Sequence, residues 1–139
     1  MVGGMGHSSM VALGLSLKLK KQIICLDGDG SLLMHMGSLR SAGIFAKKNF
    51  KHILLNNAVH ESVGEQRTFS ENLDFLKLVK KLGYRNSYKT SKKNKLKKII
   101  NIFLKSKGPS FLEIKIKTGT IKNLTRPKNL KNIKFNFQK

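Results

Sequence analysis

Cysteine is almost absent from these 139 residues: Cys25 stands alone inside Ile23-Ile24-Cys25-Leu26. That excludes an intrachain disulfide framework and a cysteine-cluster zinc site, and it fits a reducing cytoplasm. Long apolar runs are missing as well. None approaches the roughly 18 residues that a spanning helix needs, so no membrane partner is expected. Near the start, Lys18, Lys20 and Lys21 follow the apolar stretch instead of preceding it, the wrong order for a secretory signal. Acids are scarce, seven against 28 basic residues, for a net charge of +21. Arginine is scarce within that excess. Only Arg40, Arg67, Arg85 and Arg126 are present, and 24 of the basic residues are lysine. Base and phosphate recognition favours the arginine fork. Lysine, asparagine and isoleucine fill about a third of the chain, the residues of A/T-rich codons, so composition accounts for much of the charge. No specific nucleic-acid partner is expected, although a basic nucleic-acid-binding module stands as the non-enzyme alternative. The excess charge costs self-repulsion that a more acidic partner surface would relieve.

What is present is enough for one domain: 40% of the residues are hydrophobic, and apolar runs alternate with turn signals. Ser8 and Ser9 open a helix running to about Lys20, with Met10, Leu13 and Leu17 at helical spacing. Ile23 to Leu26 reads as a buried strand. Behind the turn Asp27-Gly28-Asp29-Gly30-Ser31, the residues Leu32, Met36, Leu39 and Gly43 recur at the helical period, with Ser31 as the cap. His52 to Leu55 is the next buried strand. The polar segment from Asn56 to about Ser70 has no periodicity and reads as a functional loop. Helices follow at Phe75 to Leu82 and around Leu96 to Phe103. Strands lie near Arg85 to Tyr88 and over Phe111 to Lys117, the last alternating and therefore placed nearer an edge. Strands separated by helices predict an α/β doubly wound fold, a mainly parallel sheet with helices on both faces. Residues 1–117 form the domain, and 118–139 a tail with Leu124, Leu130, Ile133, Phe135 and Phe137 to bury.

Ligands on such sheets sit at the carboxyl ends of strands, where both polar clusters fall. In the first, glycines let the backbone approach a ligand, and a helix starting there offers amide donors to an anion such as phosphate. Asp29 would repel that anion unless a divalent cation bridges the two, and Asn57 is placed to supply a second hard oxygen. Three other readings compete. A calcium loop needs more acids and a downstream bidentate glutamate. A phosphatase would use Asp27 as nucleophile and Asp29 as general acid, but needs paired acids that Glu61, Glu65, Glu71, Asp74 and Glu113 do not offer. A plain structural turn is the third.

Gly28-Asp29-Gly30, followed 28 positions after Asp29 by the second residue of Asn56-Asn57, resembles the thiamine-diphosphate motif of decarboxylases and synthases. The likeness extends to Gly4-Met5-Gly6-His7-Ser8-Ser9, to Asp27-Gly28-Asp29-Gly30-Ser31-Leu32-Leu33-Met34-His35-Met36-Gly37, and to Asn56-Asn57-Ala58-Val59-His60-Glu61-Ser62-Val63-Gly64. It continues at Gly108-Pro109-Ser110 and Thr125-Arg126-Pro127. Together these look like the carboxyl-terminal, diphosphate-binding domain of the phosphonopyruvate decarboxylase family, with the sulfopyruvate decarboxylase small subunit as a near relative. The resemblance implies the thiamine-diphosphate-binding fold, with thiamine diphosphate and magnesium as cofactors. Asp29, Asn57 and the Val59 carbonyl would hold the metal. Gly28, Gly30 and Ser31 would face the diphosphate, and Gly4, Met5, Gly6 and His7 would border the cofactor. His35, His60 and Glu61 are the candidates facing cofactor or substrate. The implied reaction is decarboxylation of 3-phosphonopyruvate, a small 2-oxo acid, to phosphonoacetaldehyde. Sulfopyruvate or another 2-oxo acid is the alternative substrate, and an inactive fragment the alternative product of the gene. Because the chain opens inside the first cofactor motif, the resemblance also implies an oligomer with a pyrimidine-binding partner chain carrying the activating glutamate. Where relatives read Gly-Gly-Gln-Pro-Thr, this chain has Gly64-Glu65-Gln66-Arg67-Thr68.

Overall fold

The computed structural model describes residues 3–119, 123, 127 and 129–138. Along it run α1 (Ser8–Lys18), β1 (Ile23–Gly28), α2 (Asp29–Met34), α3 (Ser38–Phe45), β2 (Phe50–Asn56), β3 (Val59–His60) and β4 (Gln66–Arg67). Then come α4 (Phe75–Lys81), β5 (Asn86–Thr90), α5 (Lys93–Lys105), β6 (Ser110–Lys115) and α6 (Leu130–Gln138). Four strands make one all-parallel sheet in the order β1-β2-β6-β5, while β3 and β4 form a small antiparallel ribbon. Successive strand residues point to opposite faces, and the two faces carry separate cores. On one, Ala12 and Leu13 of α1, Leu32 of α2, Leu39 and Ala42 of α3, and Phe75 and Val79 of α4 close over Cys25, Phe50, Leu54 and Phe111. On the other, Phe103 of α5 closes over Ile53 and Leu112. The layers are close-fitting: a Cβ on Gly43 of α3 would fall 2.1 Å from the Leu82 carbonyl oxygen at the end of α4.

The expected α/β architecture with a mainly parallel sheet is present, and four local readings are corrected. The single helix behind the Asp27–Ser31 turn is two, because His35 leaves the helical region and α3 restarts at Ser38. The amides of Ser38, Leu39 and Arg40 donate to the carbonyls of His35, Met36 and Gly37, so the break is satisfied within itself. Ser31 is no cap: Gly28 holds that position, and the Ser31 hydroxyl is engaged elsewhere. The strand near residue 111 is not an edge. It lies between β2 and β5, with Ser110 to Glu113 all buried, because the charge of Glu113 is met inside the sheet. The segment after Asn56 is not structureless, since the β3–β4 ribbon and turns at Glu61–Val63 and Ser70–Asn72 shape it.

Cover is incomplete at one edge. On β1, Ile24 and Leu26 face away from α1 and are 47% and 61% exposed. Of the apolar tail residues, Leu124 lies outside the described residues, as do Thr125 and Arg126, while Leu130, Ile133, Phe135 and Phe137 sit exposed on α6. Among the described residues, no helix is long and apolar enough to cross a membrane.

Candidate functional site

The carboxyl ends of β1 and β2 lie side by side, Gly28 opposite Leu55 in the register, which brings the two polar clusters together. Asp29 opens α2 and is buried. Its Oδ2 receives the hydroxyl of Thr68 and lies 3.0 Å from that of Ser70, and among the described residues Oδ1 has no hydrogen bond. The Asn57 side-chain oxygen accepts the Val59 amide at 3.2 Å, turning the chain so that Asn57, Val59 and Asp29 line one cavity of about 240 Å³. Ala58 between them holds a φ of 63°, a left-handed conformation that L-residues adopt at a cost and that clusters at functional sites. Met5, Gly28, Gly30, Ser31, His60, Glu61 and Ser62 complete the wall. A second cavity of about 350 Å³ shares Met5, Gly28, Ser31 and Ser62 and adds Gly4, Gly6, Ser8, Leu26 and Asp27.

Gly30 is required here by contact. A Cβ on it would fall 2.2 Å from His60 Nδ1, an atom that is buried with no partner. Glu61 accepts the Gly119 amide, drawing the segment after β6 over the cavity. His7 and His35 are placed elsewhere. Their rings sit 4.2 Å apart beside a third depression that shares only Gly6 with the site. Larger depressions, of about 520 and 530 Å³, are lined by lysine and asparagine beside apolar residues, with no acid among them.

Behind the cavity, two chains of polar side chains run into the core. In one, Asn56 donates to Glu113 at 3.0 Å, and its side-chain oxygen lies 2.8 Å from the Ser70 hydroxyl, whose single proton is shared between Asn56 and Asp29, while Lys89 pairs with the other Glu113 oxygen at 2.9 Å. In the other, the Ser31 hydroxyl donates to Asp27 Oδ1 at 2.5 Å, and Asp27 Oδ2 lies 3.5 Å from His52 Nε2. Tyr84 meets His52 Nδ1 at 3.0 Å. Burial would raise the Asp27 carboxyl, but His52 and Ser31 outweigh it and hold the pKa below the usual value. Burial would likewise favour neutral His52, but the Tyr84 oxygen and the Asp27 carboxylate hold the imidazole well above its usual value. Asp27 thus stands at the wall of the second cavity, almost fully buried, with His52 behind it at ion-pair distance. The spacing of the motifs singled out Asp29 and Asn57. It did not single out Thr68, Ser70, Asn56 or Glu113 as their supports, because isolated hydroxyls and one acid in a strand carry no pattern.

The sequence profile of thiamine pyrophosphate enzymes, C-terminal TPP binding domain, matches residues 1–114. The chain belongs to this family. Within it, a phosphonopyruvate decarboxylase from Streptomyces viridochromogenes is 37% identical over 128 residues, 92% of this chain and 32% of that protein. A sulfopyruvate decarboxylase subunit beta from Methanococcus maripaludis is 40% identical over 83 residues, 60% of this chain and 45% of that one. The chain thus spans about a third of the length of the phosphonopyruvate decarboxylase that it matches. In fold, it superposes on a putative thiamin diphosphate-dependent enzyme from Mycobacterium smegmatis with a TM-score of 0.69 at 21% identity, over 84% of this chain and 23% of that one. The TPP-binding domain of this family accordingly has its α/β fold here, with Asp29 and Asn57 at adjoining strand ends.

Proposed function

We propose that this domain is the diphosphate-binding half of a thiamine-diphosphate-dependent decarboxylase that converts 3-phosphonopyruvate to phosphonoacetaldehyde and carbon dioxide. The observation that carries the reading is the donor set: one unengaged oxygen of Asp29 sharing a cavity with Asn57 and Val59, at a glycine-lined turn. A carboxylate, an amide and a carbonyl are hard oxygen donors and fit magnesium. The buried Nδ1 of His60 beside Gly30, without a hydrogen-bond partner among the described residues, adds a further polar group to the wall. Asp29, Asn57 and the Val59 carbonyl hold the metal, and the open space in front of Gly28 receives the diphosphate. The Ser31 hydroxyl has already given its proton to Asp27, so Ser31 meets an anion through its main-chain amide. When bound, thiamine diphosphate supplies the electron sink that takes up the pair released as carbon dioxide leaves. His60 and Glu61 form the wall next to the metal ligands, where a 2-oxo acid would lie. A pyrimidine-binding partner chain completes the site, which fits the part of each relative that the chain covers.

Sulfopyruvate is the second reading, favoured by the 40% identity to a sulfopyruvate decarboxylase subunit beta. The test is calorimetric titration of thiamine diphosphate with magnesium, followed by turnover of both acids in a complex purified with its partner chain. Binding that disappears in Asp29→Ala and Asn57→Ala, with 3-phosphonopyruvate turned over faster, is the expected result. Full activity of the isolated chain would overturn the half-enzyme claim, and faster turnover of sulfopyruvate would overturn the substrate.

A further inference from the structure

The core chain behind the site links two cofactor-facing segments that are distant in sequence. Tyr84 ends α4's return to the sheet, His52 lies on β2, Asp27 on β1 and Ser31 on α2, and the last link is the Gly6 amide, which donates to the Ser31 hydroxyl at 3.0 Å. Tyr84, His52 and Asp27 are 3%, 0% and 5% exposed. The donor and acceptor roles of Asp27, Ser31 and Gly6 follow from their chemistry. Asp27 accepts only, so Ser31 donates to it and has its oxygen left to accept from Gly6. Ser31 hydrogen-bonds Asp27 Oδ1, while Oδ2 has no hydrogen bond among the described residues and lies 3.5 Å from His52 Nε2, an ion-pair distance, so the two neighbours act on different oxygens of the carboxylate. We infer that His52 is a positioning residue: acting through Asp27 and Ser31, it sets the Gly4–Gly6 loop against the Gly28–Ser31 turn, so that both walls of the diphosphate cavity are in place before ligand arrives.

The first readout needs no ligand and does not depend on the proposed function. Amide hydrogen exchange of the whole chain, followed by NMR, should show Gly6 exchanging about tenfold faster in His52→Gln and in Ser31→Ala, the scale of a lost hydrogen bond to a charged group, with Leu54 in the sheet centre unchanged. Tyr84→Phe, a milder variant that keeps the ring in the core, should speed Gly6 in the same direction by a smaller factor. The second readout rests on the cofactor reading: thiamine diphosphate affinity should fall with Gly6 protection across the three variants. Gly6 unchanged in His52→Gln while fast in Ser31→Ala would end the link at Ser31 and overturn the inference. Equal acceleration at Gly6 and Leu54 would overturn it too, as a loss of global stability. The Cys25 sulfur lies within 4.8 Å of the Asp27 and His52 ligand atoms. Gly6 protection abolished by a chelator would make the cluster a metal site and overturn the relay. Protection lost as inferred, with no cofactor bound by any form in the presence of its partner, would leave the relay standing and remove the cofactor reading alone.

Discussion

Asp29, the metal ligand proposed above, is held by side chains that would not themselves touch a metal. Thr68 and Ser70 both reach Oδ2, and they hold the carboxylate at the cavity wall with Oδ1 free of hydrogen bonds among the described residues. Removing such a support costs about 10–100-fold in metal affinity. Ser70→Ala should therefore weaken magnesium-dependent binding of thiamine diphosphate by about tenfold, read by calorimetry, while the fold survives; unchanged affinity would mean that Thr68 alone suffices. A second residue-scale effect concerns Glu65, which holds a φ of 61°. The left-handed region costs an L-residue about 1–2 kcal/mol. Glu65→Gly should accordingly raise stability by about 1 kcal/mol, seen as a higher urea midpoint. Arg67 is better accommodated, pairing with Glu71 and lying 4.9 Å from the centre of the Phe69 ring.

At the scale of elements, the sequence was legible where periodicity and packing agree. The helix from Phe75 reads correctly because its apolar residues carry the core, whereas Ile23 to Leu26 is a strand as expected but not a buried one: β1 is an edge strand, and of these four residues Cys25 alone is buried. Periodicity misled where a polar residue is buried for a reason that lies elsewhere in the chain. Glu113 made β6 look half-exposed, yet it sits in the sheet centre because Asn56 and Lys89, at distant positions, satisfy both its oxygens. Met36 kept the helical period across a break that the Gly6 loop and His35 impose, since a Cβ on Gly6 would fall 2.5 Å from the His35 ring. Glu113 pins three elements at once: β6, the end of β2 through Asn56, and β5 through Lys89. Its removal leaves the buried Asn56 amide unpaired, while the 41% exposed Lys89 side chain regains water. Glu113→Ala should cost about 2 kcal/mol of stability, the scale of an unsatisfied buried group, and Glu113→Gln less, because an amide oxygen still accepts from Asn56. Equal losses in denaturant titrations of the two variants would show that the charge toward Lys89 dominates instead.

For the whole molecule, the charge of +21 means that each acid weighs heavily. Glu71, Asp74 and Glu113 pair with Arg67, Lys77 and Lys89, Asp27 pairs with His52 in the core, and Asp29 and Glu61 line the cavity. The remaining surface is cationic, which suits an acidic partner and penalises any further proton taken up by the fold. Against that background, the fold favours a proton on His52. The folded pKa of His52 lies well above the ordinary value of 6.5. Its contribution to stability is therefore complete below that ordinary value and is lost as pH rises through the folded one, with a slope of at most about 1.4 kcal/mol per pH unit. Asp27 acts in the opposite sense. Its folded pKa lies below 3.8, so its contribution is present above that value and lost as pH falls through the folded one. Urea midpoints of the whole chain should thus decline on the alkaline side of neutrality. His52→Gln should flatten that alkaline limb, while the acid limb persists because Ser31 still bonds the Asp27 carboxylate. A wild-type midpoint that climbs from neutral to alkaline pH would mean a neutral His52, hydrogen-bonded rather than ion-paired to Asp27.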